Sequence, residues 1–271
     1  TREQHIRRDK ATSNICTAQA LLATMSSFYA VYHGPEGLKK ISKRVHSIAS
    51  FVAHELNELG FEQTNELFFD TLKIVLPEDI KQETLKDNAE ERGINLRYYD
   101  TGEVGISIDE TTNQYRIQEL LAVFAMTVGS SKEFVIKDLD TQLTIPKELL
   151  RTSEFLTHPN FNSYHTETEL MRYIKRLEKK DISLAHSMIS LGSCTMKLNS
   201  ASSLLPLGNP GLQRIHPYAP ADQTQGYQEI IDELSAMLAE ITGFAATSLQ
   251  PNSGAAGEFT GLISTSTYPK S

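Results

Sequence analysis

The chain has 271 residues, of which 39% are hydrophobic and 22% are charged, and its formal net charge is −8. This length allows one large domain or two modest ones, with enough residues for a sizeable core. No apolar run approaches the ~18 residues that a membrane-spanning helix requires. An acidic surface repels nucleic acid and anionic lipid. We therefore expect neither a nucleic-acid nor a membrane partner.

The cysteine and histidine patterns argue against two kinds of site. Cys16 and Cys194 lie in unlike contexts and form no C-x-x-C pair, which favours a reducing compartment over a disulfide framework. The eight histidines show no H-x-x-x-H pair and no carboxylate at ligand spacing, so we predict no metal site. The acidic excess is concentrated in residues 62–110, and a solvated face is the common explanation for such a run.

The first half of the chain alternates helical and strand patterns. The apolar run from Ala18 to Tyr32 predicts a helix that stops at His33-Gly34-Pro35. A second helix with apolar residues from Ile41 to Leu59 ends at Gly60. The pattern then predicts a strand over 67–76, a helix over about 78–92, strands over 95–99 and 104–108, and a helix over 117–128. This order indicates a compact α/β lobe that looks complete.

The second half has longer irregular stretches. Residues 138–165 predict a linker or surface strap, and Thr166 to Glu169 resembles a helix start. Residues 191–221 contain several prolines and are predicted to be irregular. The apolar residues from Tyr227 to Ile241 predict the cleanest helix of the chain, closed by Gly243. We expect this half to open a domain that it does not finish.

The stretch Gln250 to Glu258 predicts a helix with an open N-terminus. Pro251 biases the preceding residue away from helical geometry, and Asn252 and Ser253 are good N-cap residues. The small residues Gly254-Ala255-Ala256-Gly257 leave the first N–H groups accessible, which suits a phosphate. The alternative is an ordinary capped helix whose small face packs on a neighbour, and local sequence favours that alternative.

Two other stretches concentrate small polar side chains. The run from Gly192 to Ser200 is typical of a loop that lines a polar cavity, and a surface turn explains it equally well. The run from Thr12 to Thr17 has the same composition, and a plain helix cap is its commoner explanation. Both alternatives stay open for each stretch.

Together these stretches resemble one family. The strings K-A-T-S-N-I-C-T-A-Q-A-L-L-A at 10–23, G-S-C-T-M-K-L-N at 192–199 and Q-P-N-S-G-A-A-G-E at 250–258 are similar to the P-protein of the glycine cleavage system, a pyridoxal-phosphate (PLP)-dependent glycine decarboxylase. The resemblance runs from Thr1 to about Leu262, and it is specific because long, unusual strings occur in the family's order. The segment F-N-S-Y-H-T-E-T-E-L-M-R-Y is similar to sequences of the animal mitochondrial branch of the family. This similarity implies a location in the mitochondrial matrix.

The resemblance also implies an architecture. The family's chain has two related halves, each similar to a fold-type-I PLP-dependent transferase of the α/β class. By this comparison, residues 1–150 form the end of the first half, mainly its small C-terminal α/β lobe, and residues 151–183 link the halves. Residues 184–271 then form the truncated start of the second, catalytic half.

The chemistry implied by the resemblance is decarboxylation of glycine on PLP, followed by transfer of the aminomethyl group to the lipoyl arm of the H-protein. The resemblance further implies a homodimer when the protein is full length. The residues implied for PLP binding are Asn252, Ser253, Gly254 and Ala255. The residues implied for the substrate cavity are Ser193, Cys194, Thr195, Lys197, Asn199, Thr12, Ser13, Asn14 and Cys16.

The resemblance implies no catalytic residue within this sequence. The family's Schiff-base lysine follows a histidine further along than Ser271, and Lys197 does not match it. We therefore expect the isolated chain to be inactive. Departures from the family lie at Ser190, at 205–211 and in the Ser/Thr-rich residues 263–271. The alternative function is a non-catalytic truncated product that only interacts with full-length subunits.

Overall fold

The computed structural model describes residues 19–136, 144–180, 186, 200–252 and 254–267. The chain divides into two compact units, one over Met25–Leu177 and one that combines Thr1–Thr24 with Glu178–Ser271. No helix in the described ranges is both long enough and apolar enough to cross a bilayer. The assignment of residues to two halves of a longer protein stays a prediction.

The long helix α1, Gln19–Glu58, is bent at Gly34. Gly34 has φ 62° and ψ −178°, and Pro35 follows it inside the helix. The predicted stop at this point is therefore confirmed as a sharp bend between two helical segments. The second segment buries one face, formed by Val45, Ile48, Ala49, Val52 and Leu56.

A four-stranded antiparallel sheet lies beside this helix. Its strands are β1 at Glu62–Gln63, β2 at Thr71–Val75, β3 at Arg97–Tyr98 and β4 at Val104–Ser107. Their order in the sheet is β1-β2-β4-β3. In this sheet Leu72 is opposite Ile106 and Ile74 is opposite Val104. All four side chains are buried, as the two-residue period of a strand predicts for one face of a sheet.

Two further helices complete the core, α2 at Gln82–Glu91 and α3 at Gln114–Thr127. The Asn113 side chain caps α3 by accepting a hydrogen bond from the N–H of Arg116 at 3.0 Å. Phe124 meets Phe61 edge to face, with the ring centroids 5.0 Å apart. The predicted α/β class is confirmed, and the sheet, α2, α3 and the second segment of α1 share one core.

The strap that follows is held to this core by His46, a fully buried histidine. Its Nδ1 lies 2.8 Å from the carbonyl oxygen of Phe69, and its Nε2 accepts a hydrogen bond from the N–H of Thr144 at 3.1 Å. The described part of the strap contains 3-10 turns at Lys147–Leu149 and Pro159–Asn162. Because an amide can only donate, the ring is assigned the tautomer with its proton on Nδ1.

Helix α4, Glu167–Glu178, begins with the predicted capping box. The N–H of Thr166 donates to the carboxylate of Glu169 at 3.2 Å, and the N–H of Glu169 donates back to the hydroxyl of Thr166 at 3.3 Å. This reciprocal pair satisfies donors that a helix start leaves without intrahelical acceptors. The predicted start of this helix is confirmed.

The described part of the second unit is helical and contains no strand. Gly243, at φ 73°, ends the helix Gln225–Thr242 in the left-handed conformation, as predicted. The last two helices bury none of their described residues, and Ile230 is 49% exposed. The helices are α5 at Ala201–Leu204, α6 at Pro210–Gln213, α7 at Gln225–Thr242 and α8 at Gly254–Thr267.

Candidate functional site

The predicted helix start after Pro251 is present. Helix α8 begins at Gly254 and runs to Thr267, and Asn252 lies in the bend before it. Gly254 and Ala255 occupy the first two helical positions, where N–H groups have no intrahelical acceptor. Asn252, Gly254 and Ala255 are exposed. Three of the four predicted phosphate-binding residues are thus brought together at one accessible end, while Ser253 lies outside the described residues.

The space around this helix start is open. A Cβ atom added at Gly254 would have no described atom within 4 Å, and the same holds at Gly261. A Cβ atom at Gly257 would meet only the Cβ of Pro251, at an ordinary contact distance of 4.0 Å. Close packing on a described neighbour therefore does not explain these small residues, and the open space at Gly254 leaves room for a ligand.

The electrostatics of the helix start favour an anion. The first turn of α8 carries no acidic side chain. The first carboxylate in the helix belongs to Glu258, more than a turn from the N-terminus. The partial positive charge of the helix dipole is therefore not neutralised by a carboxylate within the first turn. This arrangement is chemically able to hold a phosphate group.

The segment before α8 is tied to the preceding helix by one contact that the sequence did not reveal. The hydroxyl of Thr247 donates to the carbonyl oxygen of Ser235 in α7 at 2.9 Å. The N–H of Gln250 donates to the hydroxyl of Ser248 at 3.3 Å. These bonds fix the approach of the chain to Pro251, and a lone threonine between two helices carries no sequence signal for such a role.

The predicted substrate-cavity residues lie outside the described residues. Their assignment therefore stays a prediction. They are Thr12, Ser13, Asn14, Cys16, Ser193, Cys194, Thr195, Lys197 and Asn199.

In the part of the chain that the structure describes, the titratable groups with clearly shifted pKa values lie elsewhere, in the α/β unit. Burial raises the pKa of Tyr98 to about 12, with help from the carboxylates of Glu90 and Asp87. A hydrogen bond from Lys73 lowers the pKa of Glu103 to about 2, and the two side chains are 2.8 Å apart. Among the described residues, no cluster of three side chains suits a metal ion. We interpret these shifted groups as structural.

A family model and several relatives are similar to this chain. Residues 1–124 match the family described as the glycine cleavage system P-protein. Over 262 residues, or 97% of its length, the chain is 57% identical to glycine dehydrogenase (decarboxylating) from Bacteroides thetaiotaomicron. Over 269 residues, or 99% of its length, it is 53% identical to the protein of the same name from Photobacterium profundum. Over nearly all of its length, the chain is therefore similar to part of each of these two proteins.

Both relatives are longer than this chain, which spans 28% of the length of each. A crystal structure of glycine decarboxylase (P-protein) of the glycine cleavage system, in inhibitor-bound form, is 28% identical. That match covers 46% of this chain and 30% of the other, with a TM-score of 0.36. Both named relatives are bacterial, so they give no support to the predicted animal mitochondrial branch.

Proposed function

We propose that this chain forms part of a PLP-dependent glycine dehydrogenase (decarboxylating) of the glycine cleavage system. The observation that carries the proposal is 57% identity over 97% of the chain with the Bacteroides thetaiotaomicron protein of that name. In the proposed reaction glycine is the substrate, and its aminomethyl group passes to the lipoyl arm of the H-protein. A homodimer of the full-length protein and a mitochondrial location stay predictions from the sequence resemblance.

The start of α8 fits the phosphate of the proposed cofactor. Gly254 has open space on its Cβ side, and no carboxylate lies in the first turn. We assign the phosphate to the N–H groups of Gly254 and Ala255, with the exposed Asn252 beside them. The assignment of Ser253 rests on sequence alone. When bound, PLP supplies the electron sink for loss of CO2, and the task of these residues is to orient it.

A chimeric enzyme tests this proposal. The matching 262-residue region of the Bacteroides thetaiotaomicron enzyme is replaced by residues of this chain. We expect the chimera to release CO2 from carboxyl-labelled glycine when lipoylated H-protein is present. The expectation follows because a homologous segment of the same family supplies equivalent packing and cofactor contacts.

Two controls make the chimera informative. Circular dichroism and gel filtration compare its folding with that of the parent enzyme, and the absorbance of bound PLP reports cofactor loading. A chimera that folds and loads PLP but releases no CO2 would contradict the proposed function. A chimera that folds but fails to load PLP would instead contradict the assignment of the phosphate to the start of α8.

A further inference from the structure

The bend in α1 depends on a backbone conformation that is available almost only to glycine. Gly34 combines φ 62° with ψ −178°, a region in which side-chain-bearing residues are strained. It is also closely covered. A Cβ atom at this position would lie 2.6 Å from the carbonyl oxygen of Phe161 and 2.8 Å from Cε1 of His165. The bend therefore fits against the strap without space for a methyl group.

The strap also satisfies hydrogen bonding that the bend interrupts. A helix that ends leaves its last carbonyl groups without intrahelical donors, and Pro35 has no N–H to offer. The ring nitrogen Nδ1 of His165 lies 2.7 Å from the carbonyl oxygen of Tyr32, two residues before Gly34. Since a carbonyl only accepts, His165 donates this bond. His165 thus caps the first segment of α1.

Contacts on both sides of the bend involve the same stretch of chain. Before the bend, His165 bonds directly to Tyr32. Phe28 meets Tyr173 of α4 edge to face at 6.1 Å between centroids, and Tyr173 stacks on Tyr164 at 4.3 Å, so this second contact reaches the stretch through α4. After the bend, the Lys39 ammonium lies 5.8 Å from the ring centroid of Phe155. We call residues 155–165 the clasp, because they lie against both segments of the bent helix.

The clasp is internally bonded but weakly buried. The Asn162 amide donates to the carbonyl oxygens of Leu156 at 3.0 Å and His158 at 3.2 Å. The Ser163 hydroxyl donates to the carbonyl oxygen of Pro159 at 2.7 Å. Every residue of the clasp is exposed or half-buried, unlike the α/β core. A segment with its own hydrogen bonds and little buried apolar surface opens locally more readily than a core opens.

We propose that the clasp is a releasable device that sets the bend of α1. When closed, it holds the Gly34 conformation, caps the first segment and contacts both sides of the bend. When it detaches, residues 25–33 lose their cap and are held less firmly to the second segment of the helix, while Tyr29 keeps its hydrogen bond to Glu110 at 3.0 Å. The proposal does not depend on the proposed catalytic function.

Hydrogen exchange measured by mass spectrometry on the 271-residue chain tests the device. We expect peptides from residues 25–33 and from the clasp to exchange by one shared local opening, faster than peptides from residues 45–56. Gly34→Ala should accelerate exchange in both regions about tenfold or more, because opening relieves its strain and its clash. Gly60→Ala is the matched control, since Gly60 has φ 90° but no described atom within 4 Å of its Cβ position.

The outcomes are distinct. The proposal is supported if Gly34→Ala accelerates hydrogen exchange more in the clasp and in residues 25–33 than elsewhere, and Gly60→Ala does not. Equal acceleration of all regions, or a faster clasp with unchanged residues 25–33, overturns it. Should Gly34→Ala fail to fold, His165→Ala removes the cap while leaving the glycine unchanged. That variant should accelerate the same two regions, and uniform or absent acceleration there would overturn the proposal as well.

Discussion

Replacing Gly254 by aspartate separates the stability of α8 from its capacity to bind phosphate. The side chain fits, because no described atom lies within 4 Å of the Cβ position. A carboxylate in the first turn of a helix stabilises the helix by about 0.3–1 kcal/mol through the dipole. The same carboxylate repels a phosphate bound at the first N–H groups. Gly254→Asp should therefore weaken phosphate binding without destabilising the helix.

The size of the effect follows from Coulomb's law. A carboxylate about 6 Å from a phosphate of charge about −2 costs ~1.4 kcal/mol in water, which is about a tenfold loss of affinity. Gly261→Asp is the matched control, because Gly261 is exposed and has the same open surroundings. It lies ~10 Å further along the axis, about one Debye length at moderate ionic strength, so we expect about a twofold loss or less.

Binding is measured by titrating pyridoxamine 5′-phosphate into the labelled chain and following the amide NMR signals of Gly254 and Ala255. This ligand carries the cofactor's phosphate but no aldehyde, so it does not condense with surface lysines. Inorganic phosphate serves as a second probe. Binding that leaves both amide signals unmoved would refute the reasoning, and so would equal losses of affinity in Gly254→Asp and Gly261→Asp.

Three further predictions concern the α/β unit. Phe124→Ala should lower the free energy of unfolding, measured in urea, by about 3–5 kcal/mol, since Phe124 is fully buried. The control Tyr115→Ala, at a 62% exposed position, should change it by about 0.5 kcal/mol or less. The pKa of Tyr98 is raised from 10.0 to about 12. The contribution of Tyr98 to stability is therefore complete below pH 10 and is lost as the pH rises towards 12. An absorbance titration in which Tyr98 ionises at the same pH as the exposed tyrosines would contradict this prediction. The pKa of Glu103 is lowered from 4.5 to about 2, so its contribution is complete above pH 4.5 and is lost as the pH falls towards 2. Lys73→Met should raise this pKa in an NMR titration of the carboxyl group, and an unchanged value would count against the pair.

The helices were predictable because their signals are local. Apolar residues at helical spacing indicated α3 and α7, and the glycines that follow them have the expected positive φ, 67° at Gly129 and 73° at Gly243. The capping box at Thr166 and Glu169 was also recognisable from residue types three positions apart. Each of these features depends on neighbours within about a turn or two of helix.

The sheet was less predictable. The strand predicted over 67–76 is confined to Thr71–Val75, and the carbonyl oxygen of Phe69 instead meets the buried His46. Strand β1 carries no sequence signal, because Glu62-Gln63 offers two polar residues and no alternation. Its pairing with β2, and the placement of β4 between β2 and β3, depend on which strands meet in space.

The sequence by itself determined the longer helices, the glycine stops and the opening of α8, because those depend on side chains a few positions apart. It did not indicate the short helices α5 and α6, which lie in a stretch predicted to be irregular. Only the tertiary structure decided that Gly254 faces open space, that His46 holds the strap and that the clasp covers Gly34. His46 meets Thr144 across 98 residues, and His165 meets Tyr32 across 133. Contacts of that separation arise when the chain packs its apolar faces together, and no local pattern of residues specifies them.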